Sequence, residues 1–266
     1  MCGIVGYTGR GEALPFLIDG LKHLEYRGYD SAGIAIIQDG KILRKRAQGK
    51  IDRLESLLGQ SSLLSHTAIG HTRWATHGRP SEENAHPHAD CTKTVVVVHN
   101  GIIENYLEIR KELLGKGHVF ESETDTEVIA HLIEENLKNA ENAGKPPLIS
   151  EKTFLEAVKK TASRLRGSYA LAILSSRCPG TIIAIKTASP LIIGLGNGEN
   201  FLASDVPAFL SRTRDVVFLE DGEIAVLTAG RCSYFRLTGS EIKKTAVRID
   251  WDLAMAEKGG YPHFML

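Results

Sequence analysis

The chain opens on Met1-Cys2-Gly3-Ile4-Val5-Gly6, a short apolar run with a cysteine directly behind the initiator methionine. Because the Cys2 side chain is small, we expect aminopeptidases to remove Met1 and leave Cys2 with a free α-amino group. Such an amine has an ordinary pKa near ~8 and can accept the thiol proton, and the thiolate is the nucleophilic form of cysteine. In the alternative interpretation, Cys2 is only a small packing residue at the start of a buried strand.

The bulk composition excludes several classes of protein. A chain of 266 residues forms one large domain or two small ones and can bury a full core. Its formal net charge of zero favours neither nucleic acid nor an acidic membrane as partner. No apolar run approaches the ~20 residues that span a bilayer. The cysteines are too widely spaced for a disulfide framework, so we expect a cytoplasmic protein.

The hydrophobic pattern predicts many strands and few long helices. Alternation and β-branched runs predict strands at 3–8, 31–37, 68–73 and 94–99, and Asp39-Gly40 predicts a hairpin turn after the second of them. Apolar spacings of three and four predict helices at 11–25, 51–58, 105–114, 126–137 and 153–165. Because strands and helices arrive partly in blocks, we expect an α+β fold of two packed sheets with helices on their outer faces.

Two polar segments follow predicted strands. Arg73 ends the strand at 68–73, where its guanidinium suits a carboxylate, and Trp74 begins a loop of small residues that suits closure over a ligand. The alternative is a surface arginine beside a packing tryptophan. Asn100 and Gly101 follow the strand at 94–99, and an amide beside a glycine N–H can form an oxyanion hole. The alternative there is an ordinary Asn-Gly β-turn.

Asp125 lies at the start of a predicted helix, in Thr124-Asp125-Thr126-Glu127. Its carboxylate has two interpretations: it caps the helix, or it binds a substrate ammonium group.

A histidine-rich region suggests a metal centre as an alternative. Six of the ten histidines lie between His66 and His99, and His86 and His88 come shortly before Cys91. Two arguments oppose this interpretation: His86 and His88 flank a proline in a predicted loop, and no carboxylate stands at a recognisable ligand spacing. The sequence therefore predicts neither a metal nor a cofactor.

Taken together, the motifs resemble the glutaminase domains of glutamine–fructose-6-phosphate amidotransferases, also called glucosamine-6-phosphate synthases. The resemblance covers the whole chain in order, and its motifs are Met1 to Gly6, Leu24 to Gly33, His71 to Gly78, Asn84 to His88, His99 to Gly101, Thr124 to Glu127 and Gly259 to Leu266. It implies a four-layer αββα sandwich of the N-terminal nucleophile hydrolase type. It also implies a glutaminase domain over 2–238 and a linker over 239–266 that leads to sugar isomerase domains beyond this chain.

The resemblance also assigns roles to residues. Cys2 would attack the side-chain amide of L-glutamine, with Asn100 and Gly101 as the oxyanion hole. Arg73 would hold the α-carboxylate of glutamine and Asp125 its α-ammonium group. A loop that closes on glutamine and lines its pocket would contain Trp74, Thr76, His77 and Gly78. Arg27 would help to fix the position of Cys2.

In the full-length enzyme, the resemblance implies that ammonia passes to fructose 6-phosphate to give glucosamine 6-phosphate. A homo-oligomer is expected only for that longer chain. The competing hypothesis from a different class is a binding module that recognises an amino acid without turning it over.

Overall fold

The computed structural model describes residues 2–59, 63–75, 78–138 and 148–250. Within these ranges five helices accompany the strands: α1 (Ala13–His23), α2 (Ile51–Leu58), α3 (Tyr106–Gly115), α4 (Glu127–Lys138) and α5 (Glu151–Ala162). The strands are β1 (Gly3–Gly9), β2 (Ser31–Gln38), β3 (Lys41–Gln48), β4 (Thr67–Arg73), β5 (His88–Ala89), β6 (Val95–Ile103), β7 (Gly167–Ser175), β8 (Ile182–Thr187), β9 (Ile192–Leu195), β10 (Glu199–Ala203), β11 (Asp215–Phe218), β12 (Glu223–Leu227), β13 (Cys232–Arg236), β14 (Glu241–Ile242) and β15 (Val247–Arg248).

The described strands form two antiparallel sheets. The first has the order β15-β11-β9-β10-β1-β4-β2-β3, and the second has the order β14-β13-β12-β8-β7-β6-β5. In the first sheet β1 lies between β10 and β4, so the chain's first strand is central and is hydrogen-bonded to a neighbouring strand on both sides. Its register pairs Gly3 with Thr72, which brings Cys2 beside the end of β4 at Arg73.

Three apolar clusters hold four layers together. The cluster beneath α1 and α2 on the first sheet includes Leu17 and Phe201, and the one beneath α3, α4 and α5 on the second sheet includes Phe154. A third cluster, with Ile4 and Leu202, fills the space between the sheets. The order of layers is therefore helix, sheet, sheet, helix, as the sequence predicted.

The valine run of β6 shows why this strand has no polar face. Val95 and Val97 belong to the cluster under the helices, whereas Val96 and Val98 belong to the cluster between the sheets, and all four are fully buried. Side chains alternate across a strand, so a strand covered on both faces must be apolar at every position. The prediction that this run is buried on both sides is confirmed.

Several element boundaries differ from the sequence prediction for local reasons. The helix predicted at 153–165 is α5, which begins earlier because the Ser150 hydroxyl accepts a hydrogen bond from Thr153 N at 3.1 Å and caps it. The hairpin turn was correctly placed, and Asp39 and Gly40 take φ values of 51° and 71°. After Asp205 the chain forms a single 3₁₀ turn, Val206–Ala208.

Sheet pairing continues past Thr238, the predicted end of the glutaminase domain. Ile242 in β14 pairs with Tyr234, and Val247 in β15 pairs with Val216. The first part of the predicted linker at 239–266 is therefore attached to both sheets, and residues 251–266 lie outside the described ranges. No helix in the described ranges has the length and apolar character that crossing a membrane requires.

Candidate active site

Five of the site residues predicted from sequence line one cleft. Its full lining is Cys2, Arg73, Trp74, His86, His99, Gly101, Thr124, Asp125 and Thr126. These residues come from the position before β1, the end of β4, the segment before β5, the second half of β6 and the segment before α4. Both sheets therefore contribute to the cleft.

The Cys2 thiol lies against the backbone of Trp74. Trp74 N donates a hydrogen bond to Cys2 Sγ at 3.2 Å, and Sγ lies 3.6 Å from Trp74 O. Burial raises the pKa of the Cys2 thiol, although the Trp74 N–H and the charges of Arg73 and Arg27 oppose that rise. The thiol is therefore protonated at neutral pH, and activating it requires a base that takes the proton.

Arg27 contacts the backbone of Cys2 and an acidic partner. Its Nε donates to Cys2 O at 3.3 Å, and its guanidinium donates to Asp205 at 2.8 Å. The Tyr26 hydroxyl also donates to Asp205. Sequence analysis did not identify Asp205, because nothing in its neighbourhood distinguishes it from other surface aspartates.

Asn100 contacts the same carbonyl group from the opposite sheet. Its Nδ2 donates to Cys2 O at 2.9 Å, and its Oδ1 lies 3.0 Å from His71 Nε2. Burial lowers the pKa of His71 to about 3, so this imidazole is neutral. His71 Nε2 also faces the His99 carbonyl at 3.1 Å. Both neighbouring oxygens are hydrogen-bond acceptors, so His71 Nε2 carries the proton and donates to Asn100 Oδ1. The Nδ2 group of Asn100 therefore faces Cys2 O.

Gly101 lies within a strand, so the β-turn interpretation of Asn100-Gly101 is wrong. Asn100 pairs with Ala170 and Gly101 with Tyr169. The φ of Gly101 is +128°, and a Cβ there would lie 2.0 Å from the Ser168 carbonyl oxygen. Only glycine fits this position without moving β7. Its N–H is therefore part of a rigid strand at the edge of the cleft.

Arg73 and Asp125 place a cation and an anion in the same cleft. Arg73 is 4% exposed and Asp125 is 5% exposed. Burial lowers the pKa of Arg73, and the charges of Cys2 and Asp125 oppose this decrease. The guanidinium nevertheless stays charged, as it does in proteins generally. Asp125 Oδ2 accepts from Ile103 N at 2.7 Å, so this oxygen is held by β6 and does not cap α4.

The predicted closing loop is described only in part. Trp74 is 45% exposed, and its ring meets Tyr29 edge-on with 5.5 Å between centroids. Arg73 donates to the carbonyl of Gly78 at 3.3 Å, and Gly78 has a φ of +74°. Thr76 and His77 lie outside the described residues.

The histidines do not form the metal set that the sequence offered as an alternative. His86 Nδ1 accepts from His99 N at 3.2 Å, and its ring stacks on His71 at 4.1 Å. His88 Nε2 instead faces the Thr124 hydroxyl at 3.1 Å. Among the described residues, the histidines close to Cys91 are His118 and His131. His71, His86 and His99 are supporting residues that the sequence motifs contained but to which no role was assigned.

Comparison with known proteins identifies the family. The model of the glutamine amidotransferase domain matches residues 71–211, which is more than half of the chain. The chain belongs to the glutamine amidotransferase family. The matched segment contains Arg73, Gly101 and Asp125 of the cleft and also Asn100, which contacts Cys2 O. Cys2 directly precedes β1, which pairs with β4, and the match begins near the end of β4.

Individual relatives make the glutamine amidotransferase assignment more specific. The chain is 51% identical over its whole length to the glutamine–fructose-6-phosphate aminotransferase (isomerizing) of Aquifex aeolicus, and 53% identical to that of Pyrococcus horikoshii. It spans 43% of the length of each of these relatives. The recognition of this type of glutaminase domain from sequence is confirmed.

A solved structure supports the fold. Glutamine phosphoribosylpyrophosphate amidotransferase from B. subtilis, complexed with ADP and GMP, is similar to this glutamine amidotransferase with a TM-score of 0.72 and 28% identity. The match covers 89% of this chain and 49% of that one. The predicted sandwich of the N-terminal nucleophile hydrolase type is thereby confirmed.

Proposed function

We propose that this chain hydrolyses L-glutamine to L-glutamate and ammonia through a thioester on Cys2. The observation that carries the proposal is that one cleft holds the thiol of Cys2, the glycine N–H of the predicted oxyanion hole and a buried Arg73–Asp125 pair of opposite charge. A free amino acid carries one charge of each sign at its Cα, so this pair suits an α-carboxylate and an α-ammonium group. The cleft is thus complementary to a free amino acid with a reactive side chain.

The chemistry proceeds in two steps. After removal of Met1, the α-amine of Cys2 takes the thiol proton, and Sγ attacks the carboxamide carbon of glutamine. The tetrahedral intermediate collapses as the leaving amine receives that proton and departs as ammonia. Water then attacks the thioester, the C–S bond breaks, and glutamate leaves with the thiol restored.

The oxyanion of each intermediate needs donors placed where its charge develops. The Asn100 amide has two N–H groups, of which one is donated to Cys2 O, so the second is available to the oxyanion. The N–H of Gly101 is the other proposed donor. Each such donor contributes about 3–4 kcal/mol to transition-state stabilisation in enzymes that use an oxyanion hole.

The longer protein's activity is a second part of the proposal. Because the chain spans 43% of relatives that are named glutamine–fructose-6-phosphate aminotransferases, we propose that its ammonia is delivered to fructose 6-phosphate bound by further domains. The product would be glucosamine 6-phosphate, in hexosamine synthesis. A cytoplasmic location belongs to the same proposal, since Cys2 must stay reduced.

Labelling with 6-diazo-5-oxo-norleucine, an electrophile that resembles glutamine, tests the glutaminase proposal directly. We expect the intact mass to show a chain lighter by one methionine that carries a single adduct, and peptide mapping to place that adduct on Cys2. Excess glutamine should protect the thiol. Processed protein that takes no label, or takes it on Cys91, Cys178 or Cys232, would contradict the assignment. Glutamine binding without release of glutamate would instead support a binding module.

Arg73→Lys tests the proposed recognition of the α-carboxylate. A lysine keeps the charge but loses the planar pair of donors, so we expect KM for glutamine to rise about 10- to 100-fold with a smaller change in kcat. Steady-state glutaminase assays measure both constants. The matched control is Arg248→Lys, at an exposed arginine that pairs with Asp215, and it should leave both constants unchanged. An unchanged KM in Arg73→Lys would exclude this role.

A further inference from the structure

A second cluster of chemically reactive side chains lies away from the catalytic cleft. It consists of Cys91, His118, His131 and Glu134, whose ligand atoms all lie within 4.8 Å of one another. His118, His131 and Glu134 are 3%, 1% and 4% exposed, and Cys91 closes the cluster on the solvent side. None of the four residues lines the catalytic cleft. We propose that this cluster is a structural zinc site.

Five of the six distances between the four side-chain atoms are close to those around a tetrahedral ion. Cys91 Sγ lies 3.6 Å from His118 Nδ1 and 3.5 Å from His131 Nδ1. The two Nδ1 atoms are 3.1 Å apart, and Glu134 Oε2 is 3.2 Å from the first and 3.5 Å from the second. A tetrahedral zinc ion, with bonds of about 2.0–2.1 Å to nitrogen and about 2.3 Å to sulfur, separates its ligand atoms by roughly 3.3–3.6 Å.

Each of the two imidazoles has a carboxylate near its outer nitrogen. His118 Nε2 lies 2.9 Å from Glu135 Oε1, and His131 Nε2 lies 3.5 Å from Glu127 Oε1. The two Nδ1 atoms, by contrast, face each other at 3.1 Å on the side of Cys91 and Glu134, where one cation could bind both. Carboxylates behind metal-bound histidines are also the usual second layer of zinc sites.

The ligand types select zinc among the common cations. A thiolate and two imidazoles suit Zn²⁺, whereas Mg²⁺ and Ca²⁺ prefer oxygen ligands. The thiolate and the Glu134 carboxylate together neutralise the two charges of the ion. The other carboxylate oxygen of Glu134 is occupied by Lys138 Nζ at 2.8 Å. Backbone N–H groups also support the ligands: Val119 N donates to Cys91 Sγ at 3.4 Å, and Cys91 N donates to Glu134 Oε2 at 3.2 Å.

Four protein ligands leave no open position, which is typical of a structural site. The ion would join three segments: the turn after β5, the segment after α3, and α4, where His131 and Glu134 share one helix face at a spacing of i, i+3. Asp125 and Thr126 of the catalytic cleft directly precede α4. The zinc site would therefore stabilise the helix that positions the proposed ammonium-binding residue.

Metal binding is measured on a Cys2→Ala chain, so that the catalytic thiol contributes nothing. After extraction with a chelator, the protein is dialysed against ZnCl₂ and its zinc is measured by mass spectrometry; CoCl₂ is used as a spectroscopic probe. We expect one zinc per chain, and cobalt spectra with tetrahedral bands and a thiolate charge-transfer band. Zinc should also raise the melting temperature, because it binds only the folded chain.

Two further variants in that background distinguish a built site from adventitious binding. Cys91→Ser should lose the charge-transfer band and weaken zinc binding at least ~100-fold, since it removes a ligand rather than a supporting group. Cys232→Ser, which removes a partly buried thiol elsewhere, should bind like the parent. The proposal fails if the folded parent binds less than about a tenth of an equivalent of zinc, or if Cys91→Ser leaves the cobalt spectrum unchanged. Zinc-independent melting would also contradict a structural role.

Discussion

Replacing Cys2 with alanine is expected to lower the rate of glutamine hydrolysis at least ~10⁴-fold, because the variant keeps the cleft but loses the thiol that forms the proposed thioester. Alanine is also small, so we expect Met1 to be removed from this variant as from the parent. The α-amine therefore remains, and the comparison isolates the thiol. The measurement is glutamate release under saturating glutamine, with folding checked by circular dichroism.

The control for this experiment is Cys232→Ala, which removes a thiol from β13. It should retain the parent's rate. Hydrolysis by a folded Cys2→Ala chain at more than about 1% of the parent's rate would exclude Cys2 as the nucleophile.

A chain that keeps an uncleaved residue before Cys2 should be nearly as inactive, since burial raises the pKa of the thiol and the amide of a blocked Cys2 cannot accept its proton.

The sequence predicted most of the fold because local pattern and burial agree along this chain. Three features each have one dominant physical cause that can be read locally. They are the valine run in β6, the Asp39-Gly40 turn and the spacing of apolar residues in α1. Boundaries were less predictable where a single side chain decides them, as Ser150 does for α5. The strand through Asn100 and Gly101 was not predicted, because Asn-Gly favours a turn locally and only pairing with β7 overrides it.

The candidate site was predictable as a set of residues but not as a network. His71 and Asn100 lie on β4 and β6, which belong to different sheets, and no periodicity in the chain relates two sheets. Asp205 becomes a partner of Arg27 only because β10 pairs with β1. The Cys91 cluster was missed for the same reason. Its ligands lie 27 and 40 residues from Cys91 at His118 and His131, far from any familiar zinc spacing.

Asn100→Ala has the second large expected effect. Removing the side-chain amide deletes one proposed oxyanion donor, and we expect kcat for glutamine hydrolysis to fall about 10²- to 10³-fold, which corresponds to about 2.7–4 kcal/mol. The charge of the oxyanion exists only in the intermediate and transition states. For that reason KM should change little, because the proposed contacts of Arg73 and Asp125 with the ground-state substrate are left unchanged. Steady-state assays separate the two constants, and calorimetry with glutamate checks that binding of the product is preserved.

His71 makes the Asn100 experiment sharper. His71 does not line the cleft, and its Nε2–H holds Asn100 Oδ1 at 3.0 Å. We therefore expect it to act on the reaction chiefly through the orientation of that amide. His71→Phe should therefore lower kcat by less than Asn100→Ala, and the double variant should lose little more than Asn100→Ala alone, because coupled residues are not additive. Fully additive losses in kcat would mean that His71 and Asn100 act independently. An Asn100→Ala chain with normal kcat and raised KM would place this amide in substrate binding and not in the oxyanion hole.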